Sequence, residues 1–147
     1  MCEERLDRPR SLRCEMWGLA LGALLGSASH AHATEQFDIG TVLHEVNKIL
    51  KTNVQKVPTV ELVPSLPGGD WGGYAGGHIQ ISNEALGECK ELVLWHETSH
   101  HVAIEAGLLR HLPNDGRALK TELERIASHV ELAYDKQWLP GCLNKAH

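Results

Sequence analysis

The chain has 147 residues and a mass of 16.2 kDa, with 42% hydrophobic and 22% charged residues, which suits one compact folded domain. That composition excludes a disordered tail and a polytopic membrane protein. A net charge of −5, with no Lys/Arg cluster to neutralise a row of phosphates, argues against a nucleic-acid partner. Ten histidines against two tyrosines and one phenylalanine direct attention to metal.

Residues 1 to 15 mix Arg5, Arg8, Arg10 and Arg13 with four acidic residues and lead into the apolar run Trp17 to Ala28. No charged residue occurs from Met16 to Thr34. The run is shorter than the ~20 residues of a spanning helix, and it is followed by Ala31-His32-Ala33, a small-x-small cleavage pattern. A signal peptide over residues 1–33 is therefore expected, with residues 34–147 as a single exported domain that keeps no stable membrane insertion after processing. Met16 offers a second start from which the same export follows. Its destination is periplasmic or secreted. Cys89 and Cys142 remain in the exported part, and an even pair bound for an oxidising compartment reads most simply as one disulfide.

Five pieces follow in chain order. From Asp38 to Lys51, Ile39, Val42, Leu43, Val46, Ile49 and Leu50 recur at helical spacing, with Asp38 or Thr41 placed as cap. Val57 to Val63 is β-branched and bounded by prolines, so it reads as a short strand near a sheet edge, given Pro58. Residues 67–77 carry glycines in pairs and read as a mobile hairpin loop. His78 to Ser82 alternates as a half-buried strand, and Asn83 is placed to cap the next element. Glu84 to Ala106 is helical in pattern and apolar on most sides, which predicts a helix through the centre of the domain, stopped by Gly107. A last helix is expected from about Arg117 to Lys136, ended by Pro140-Gly141. The sum is an α+β fold with a small, mostly antiparallel sheet packed on the central helix and a following helix.

The chemistry is concentrated at His96-Glu97-Thr98-Ser99-His100. Spacing of four brings both imidazoles to one helix face, about 6 Å apart along the axis, within reach of one zinc ion. Glu97 projects beside them, close enough to act on a zinc-activated water without ligating. This is the H-E-x-x-H pattern of zinc peptidases, with His96 and His100 as ligands and Glu97 as general base. A bland reading, a polar patch of satisfied core histidines, has to place Glu97 in an apolar helix without a partner, which is costly. A third ligand is still needed. The extended motif would put a Gly and a His where Ala103 and Ala106 stand, so the last helix is the source. Glu124 lies close to its inward face, Glu131 could share a similar face, and Glu122 and His129 look more lateral.

His96-Glu97-Thr98-Ser99-His100 followed by Glu124-x-x-Ala127-Ser128 resembles the gluzincin branch of the zincin metallopeptidases. The resemblance, which runs roughly from Val60 to Tyr134, implies a minimal zincin-like fold, one zinc ion held by His96, His100 and Glu124, and Glu97 as the catalytic carboxylate. It implies hydrolysis of peptide bonds in peptide or protein substrates. Ser128 stands where the family often has an Asp that hydrogen-bonds a ligand His. Trp71 to Tyr74 running into His78 to Ser82 looks like the edge strand that aligns an extended substrate. Larger gluzincins have a C-terminal subdomain that supplies an oxyanion-stabilising Tyr or His; His111, His129, Tyr134, Tyr74 and His78 are the candidates here. His101 is expected to be a solvated or hydrogen-bonded neighbour, and Trp95 a core residue whose indole N–H needs an acceptor. The alternative to a peptidase is a non-catalytic, zinc-stabilised exported binding module; retention of Glu97 favours the enzyme, because a structural site has no need of it.

Overall fold

A computed structural model of the chain describes residues 37–85, 87–134 and 142. Its elements are α1 (Ile39–Leu50), β1 (Thr59–Val63), a 3₁₀ turn (Pro67–Gly69), β2 (Gly72–Ala75), β3 (His78–Ser82), α2 (Gly87–Glu105) and α3 (Gly116–Ala133). The fold is α+β: three helices and a small three-stranded sheet. The signal peptide expected over 1–33 and the Pro140-Gly141 helix stop lie outside the described residues.

Strand order is β1-β3-β2, with β2 antiparallel and β1 parallel to β3, so the sheet is mixed rather than mostly antiparallel. The physical reason is in the two connections. Gly76 and Gly77 take φ of 56° and 93°, the positive pair of a two-residue hairpin turn, and reverse the chain from β2 into β3. From β1 the chain instead crosses through residues 64–71 to the far edge, so β3 comes back in β1's own direction. Residues 67–77, expected as a loop, thus contain a 3₁₀ turn and a strand. The segment expected as one edge strand is two strands, of which only β2 is an edge; β3 is central. β1, which follows Pro58, lies at the other edge as its proline suggested. Ile79 and Ile81 on β3 are fully buried.

Central placement of α2 follows from its sequence. Leu92, Val93, Leu94, Trp95, Val102 and Ala103 are buried together with His96, Glu97, Thr98, Ser99 and His101. Thr98 and Ser99 satisfy their hydroxyls by donating to the carbonyls of Leu94 (2.6 Å) and Trp95 (2.8 Å), which lets polar residues share a buried turn. The helix begins at Gly87 rather than Glu84. Residues 83–85 form a turn instead, in which Glu84 N–H donates to Ser82 Oγ and Ala85 N–H to Ser82 C=O, so Asn83 does not cap the helix. Gly107, with φ of 69°, ends it.

Val42, Leu43 and Val46 of α1 and Val130 of α3 join the core around α2. Asp38 caps α1 by accepting from Thr41 N–H at 3.1 Å, and Asp115 caps α3 by accepting from Arg117 N–H at 3.1 Å. α3 ends at Ala133 rather than Lys136, with Tyr134 as its C-cap. Cys89, in the first turn of α2, forms a disulfide with Cys142 across a separation of 53 residues, their Cα atoms 5.2 Å apart. Such a bridge contributes ~2–4 kcal/mol, a large share of the stability of a small domain.

Candidate metal centre

Two imidazoles one helical turn apart, His96 buried and His100 half-buried, set the site. His96 and His100 of α2 lie edge to face, ring centroids 4.6 Å apart. α3 packs across them and brings two carboxylates from positions seven apart on one of its faces. Glu124 meets both rings: its Oε2 is 3.3 Å from His96 Nε2 and its Oε1 is 3.9 Å from His100 Nε2. Glu131, itself buried, accepts from the opposite ring nitrogen, His96 Nδ1, at 2.8 Å. The other two acceptor candidates of α3 face away from this arrangement. Glu122 pairs with Arg125 at 2.6 and 2.8 Å, and the His129 side chain is exposed.

Glu131, rather than Ser128 four residues after Glu124, holds His96. In the sequence Glu131 reads only as a rival ligand. The available signal was its separation of seven from Glu124, two helical turns, which places both on one face.

Glu97 sits beside the pair, with Oε2 3.4 Å from His100 Nδ1. One donor atom from each of His96, Glu97 and His100 lies within 4.8 Å of the others, a buried group that could hold a metal ion. Glu97 and Glu124 are therefore both near enough to compete for a third position. Orientation separates them: Glu124 faces the Nε2 atom of each imidazole, whereas Glu97 lies on the Nδ1 side of His100. Its Oε1 is turned toward β2, where a Cβ built on Gly72 would come within 2.5 Å of it.

The electrostatics favour a cation at this point. Burial alone would push the His96 pKa down, but hydrogen bonds to Glu124 and Glu131 and the charges of Glu97 and Glu131 outweigh it and raise the pKa to about 10. His100 Nε2 is buried and has no hydrogen-bond partner among the described residues. A buried nitrogen of this kind, aimed at a carboxylate too distant to bond it, is a donor suited to a metal between them.

His101, His78, His111 and the two tyrosines lie apart from this group, either bonded or stacked elsewhere, or exposed. His101 is fully buried and hydrogen-bonded: its Nε2 is 2.7 Å from the Lys56 carbonyl and its Nδ1 is 3.1 Å from the Tyr74 hydroxyl. His78 bonds Thr59 across the β1–β3 pair, and His111 is exposed. Tyr134 stacks on Trp95, centroids 3.7 Å apart, while the Trp95 indole N–H has no acceptor among the described residues. No family model matches the chain, and neither a curated protein nor a solved structure matches it.

Proposed function

We propose that the chain is an exported zinc-dependent metallopeptidase of the gluzincin type, with zinc held by His96, His100 and Glu124 and with Glu97 as general base. The observation that carries this reading is the division of labour among the carboxylates. Glu124 faces the two Nε2 atoms, Glu131 occupies Nδ1 of His96, and Glu97 remains beside them at an open strand edge. The disulfide supports export, because such bridges persist in oxidising compartments.

Bound zinc would supply Lewis acidity toward the scissile carbonyl and lower the pKa of water toward ~7. Glu97 takes the proton from the attacking water and returns it to the leaving nitrogen. Glu131 accepts the Nδ1–H of His96, which fixes the tautomer that leaves Nε2 free to ligate. Among the described residues β2 carries no strand on its outer side, so an extended peptide can add there by main-chain hydrogen bonds next to Glu97.

The first test loads the purified protein with zinc and offers it an unbiased peptide mixture. Zinc uptake with cleavage, both lost to a chelator and restored by zinc, is the expected result. Uptake without any cleavage rejects the peptidase and leaves a zinc-stabilised binding module in its place.

Substitutions on α3 test the ligand assignment. Glu124→Gln strips the metal, whereas Glu131→Gln retains it with affinity weakened ~10–100-fold, as expected for a residue that orients a ligand. Competitive chelator titration measures both, and metal lost on Glu131→Gln but kept on Glu124→Gln would reverse the two roles.

A further inference from the structure

The open strand edge is keyed to α2 at two points. At one, Gly72 lies flush on the helix: an added Cβ would stand 2.5 Å from Glu97 Oε1 and 2.5 Å from Val93 Cγ1. At the other, the Tyr74 hydroxyl accepts the Gly77 N–H at 3.1 Å and lies 3.1 Å from His101 Nδ1. His101 Nε2 is 2.7 Å from the Lys56 carbonyl, which can only accept, so Nε2 carries the proton and Nδ1 accepts the Tyr74 O–H. Burial pushes the Tyr74 phenol up, which keeps it a neutral donor.

The two points are commensurate. Gly72 to Tyr74 is two strand residues, about 7 Å, and Glu97 to His101 is four helix residues, about 6 Å. β2 therefore runs alongside α2 with one contact beside Glu97 and the other one residue past His100. Within the hairpin, Gly72 pairs with Ile81 and Tyr74 with Ile79, and Ser82 N–H donates to the Trp71 carbonyl at 2.8 Å. Bonded pairs alternate along an antiparallel ladder, so residues 71, 73 and 75 bond toward β3. Gly72 and Tyr74 thus direct their N–H and C=O to the open edge, the groups a docked strand would use.

We infer that Tyr74 and His101 form a positioning pair that sets the register of β2 against the metal centre and so governs the binding of peptides long enough to reach Tyr74. The inference rests on the peptidase reading and adds to it a dependence on substrate length. A short substrate pairs at Gly72 alone, held by the steric fit to α2. A longer one also pairs at Tyr74, where the edge stays in place only while the hydroxyl is tied to His101 and Gly77.

Tyr74→Phe keeps the ring and removes the ties. Zinc content, Gly77 amide exchange, kcat and KM are measured for wild type and variant, on a short blocked peptide and on the same peptide lengthened by a few residues at each end. Expected are unchanged zinc, faster Gly77 exchange and a KM for the long peptide that rises about five- to tenfold more than that for the short one, the scale of one lost hydrogen bond. The change in kcat is the same for both peptides. His101→Gln, tested beside it, gives the same split. A KM change equal for the two lengths, or none, overturns the positioning role while leaving the peptidase intact. A wild type that takes up zinc and cleaves neither peptide overturns the peptidase reading itself.

Discussion

On the proposed peptidase reading, Glu97→Gln is expected to retain zinc at the wild-type level and to lower peptide hydrolysis by about 10²–10⁴-fold, the range of a lost general acid–base group. Gln has the same shape and still accepts a hydrogen bond, but it cannot take a proton from water. The fold is expected to tolerate it. Glu97 is buried with its Oε2 3.4 Å from His100 Nδ1, and a neutral amide there relieves a buried charge rather than creating one. Metal content by elemental analysis and kcat/KM on a wild-type substrate are measured on one preparation. Loss of zinc together with activity would make Glu97 the third ligand, in keeping with its place in the tight group with His96 and His100, and would displace Glu124 from that role.

Gly72→Ala is the second large effect, and it acts through the strand rather than the metal. Its Cβ would meet Glu97 Oε1 and Val93 Cγ1 at 2.5 Å and Glu97 Cγ at 3.0 Å. Side chains do not approach so closely. The Glu97 carboxylate could rotate away, but Val93 is 1% exposed and its methyl is locked in the core. Either β2 backs off from α2 or Glu97 leaves its position, and both separate the strand edge from the Glu97 carboxylate. A misplacement of about 1 Å costs on the order of 10² in rate, and overpacking costs about 1–3 kcal/mol of stability. The expected outcome is a kcat/KM reduced about 100-fold with zinc retained and a lowered unfolding midpoint. Full activity with unchanged stability would show that β2 accommodates the methyl, and the contact would then have no part in setting the edge.

Gly72 also shows where reading the sequence stops. Paired glycines after Trp71 signal turns and loops, and by that logic residues 67–77 are a loop. Gly76 and Gly77 do make a turn, with the positive φ values only glycine adopts freely. Gly72 does not; it is glycine because a helix lies against it, and nothing within a few residues of position 72 encodes that. The direction of β1 is a similar case. β-branched residues between prolines identify a strand and Pro58 suggests an edge, but whether it runs with or against β3 depends on which side of the hairpin the chain returns.

Much of the centre was nonetheless legible. Four-residue spacing puts His96 and His100 on one face of α2 whatever packs against it, and the apolar surround of the motif already required a buried helix. Cys89 and Cys142, the pair expected to bond, do so. The α+β class followed from the order of helical and alternating segments. These features are local or combinatorial: they depend on periodicity within a few turns, or on the pairing of the two cysteines that lie beyond the expected signal peptide.

What tertiary structure alone decided is the assignment of carboxylates to nitrogens and of strand to helix. Glu124 and Glu131 share a face of α3 by periodicity, and in sequence only the gluzincin resemblance singles out Glu124. The crossing of α3 over α2 sends Glu124 to the Nε2 side and Glu131 to Nδ1 of His96, giving chemically alike residues different surroundings. His101 likewise reads as a neighbour of the motif until β2 and the Lys56 carbonyl are brought to its two nitrogens. The physical reason is the same in each case: side-chain periodicity is fixed by the backbone of one element, whereas which groups meet is fixed by how separate elements pack.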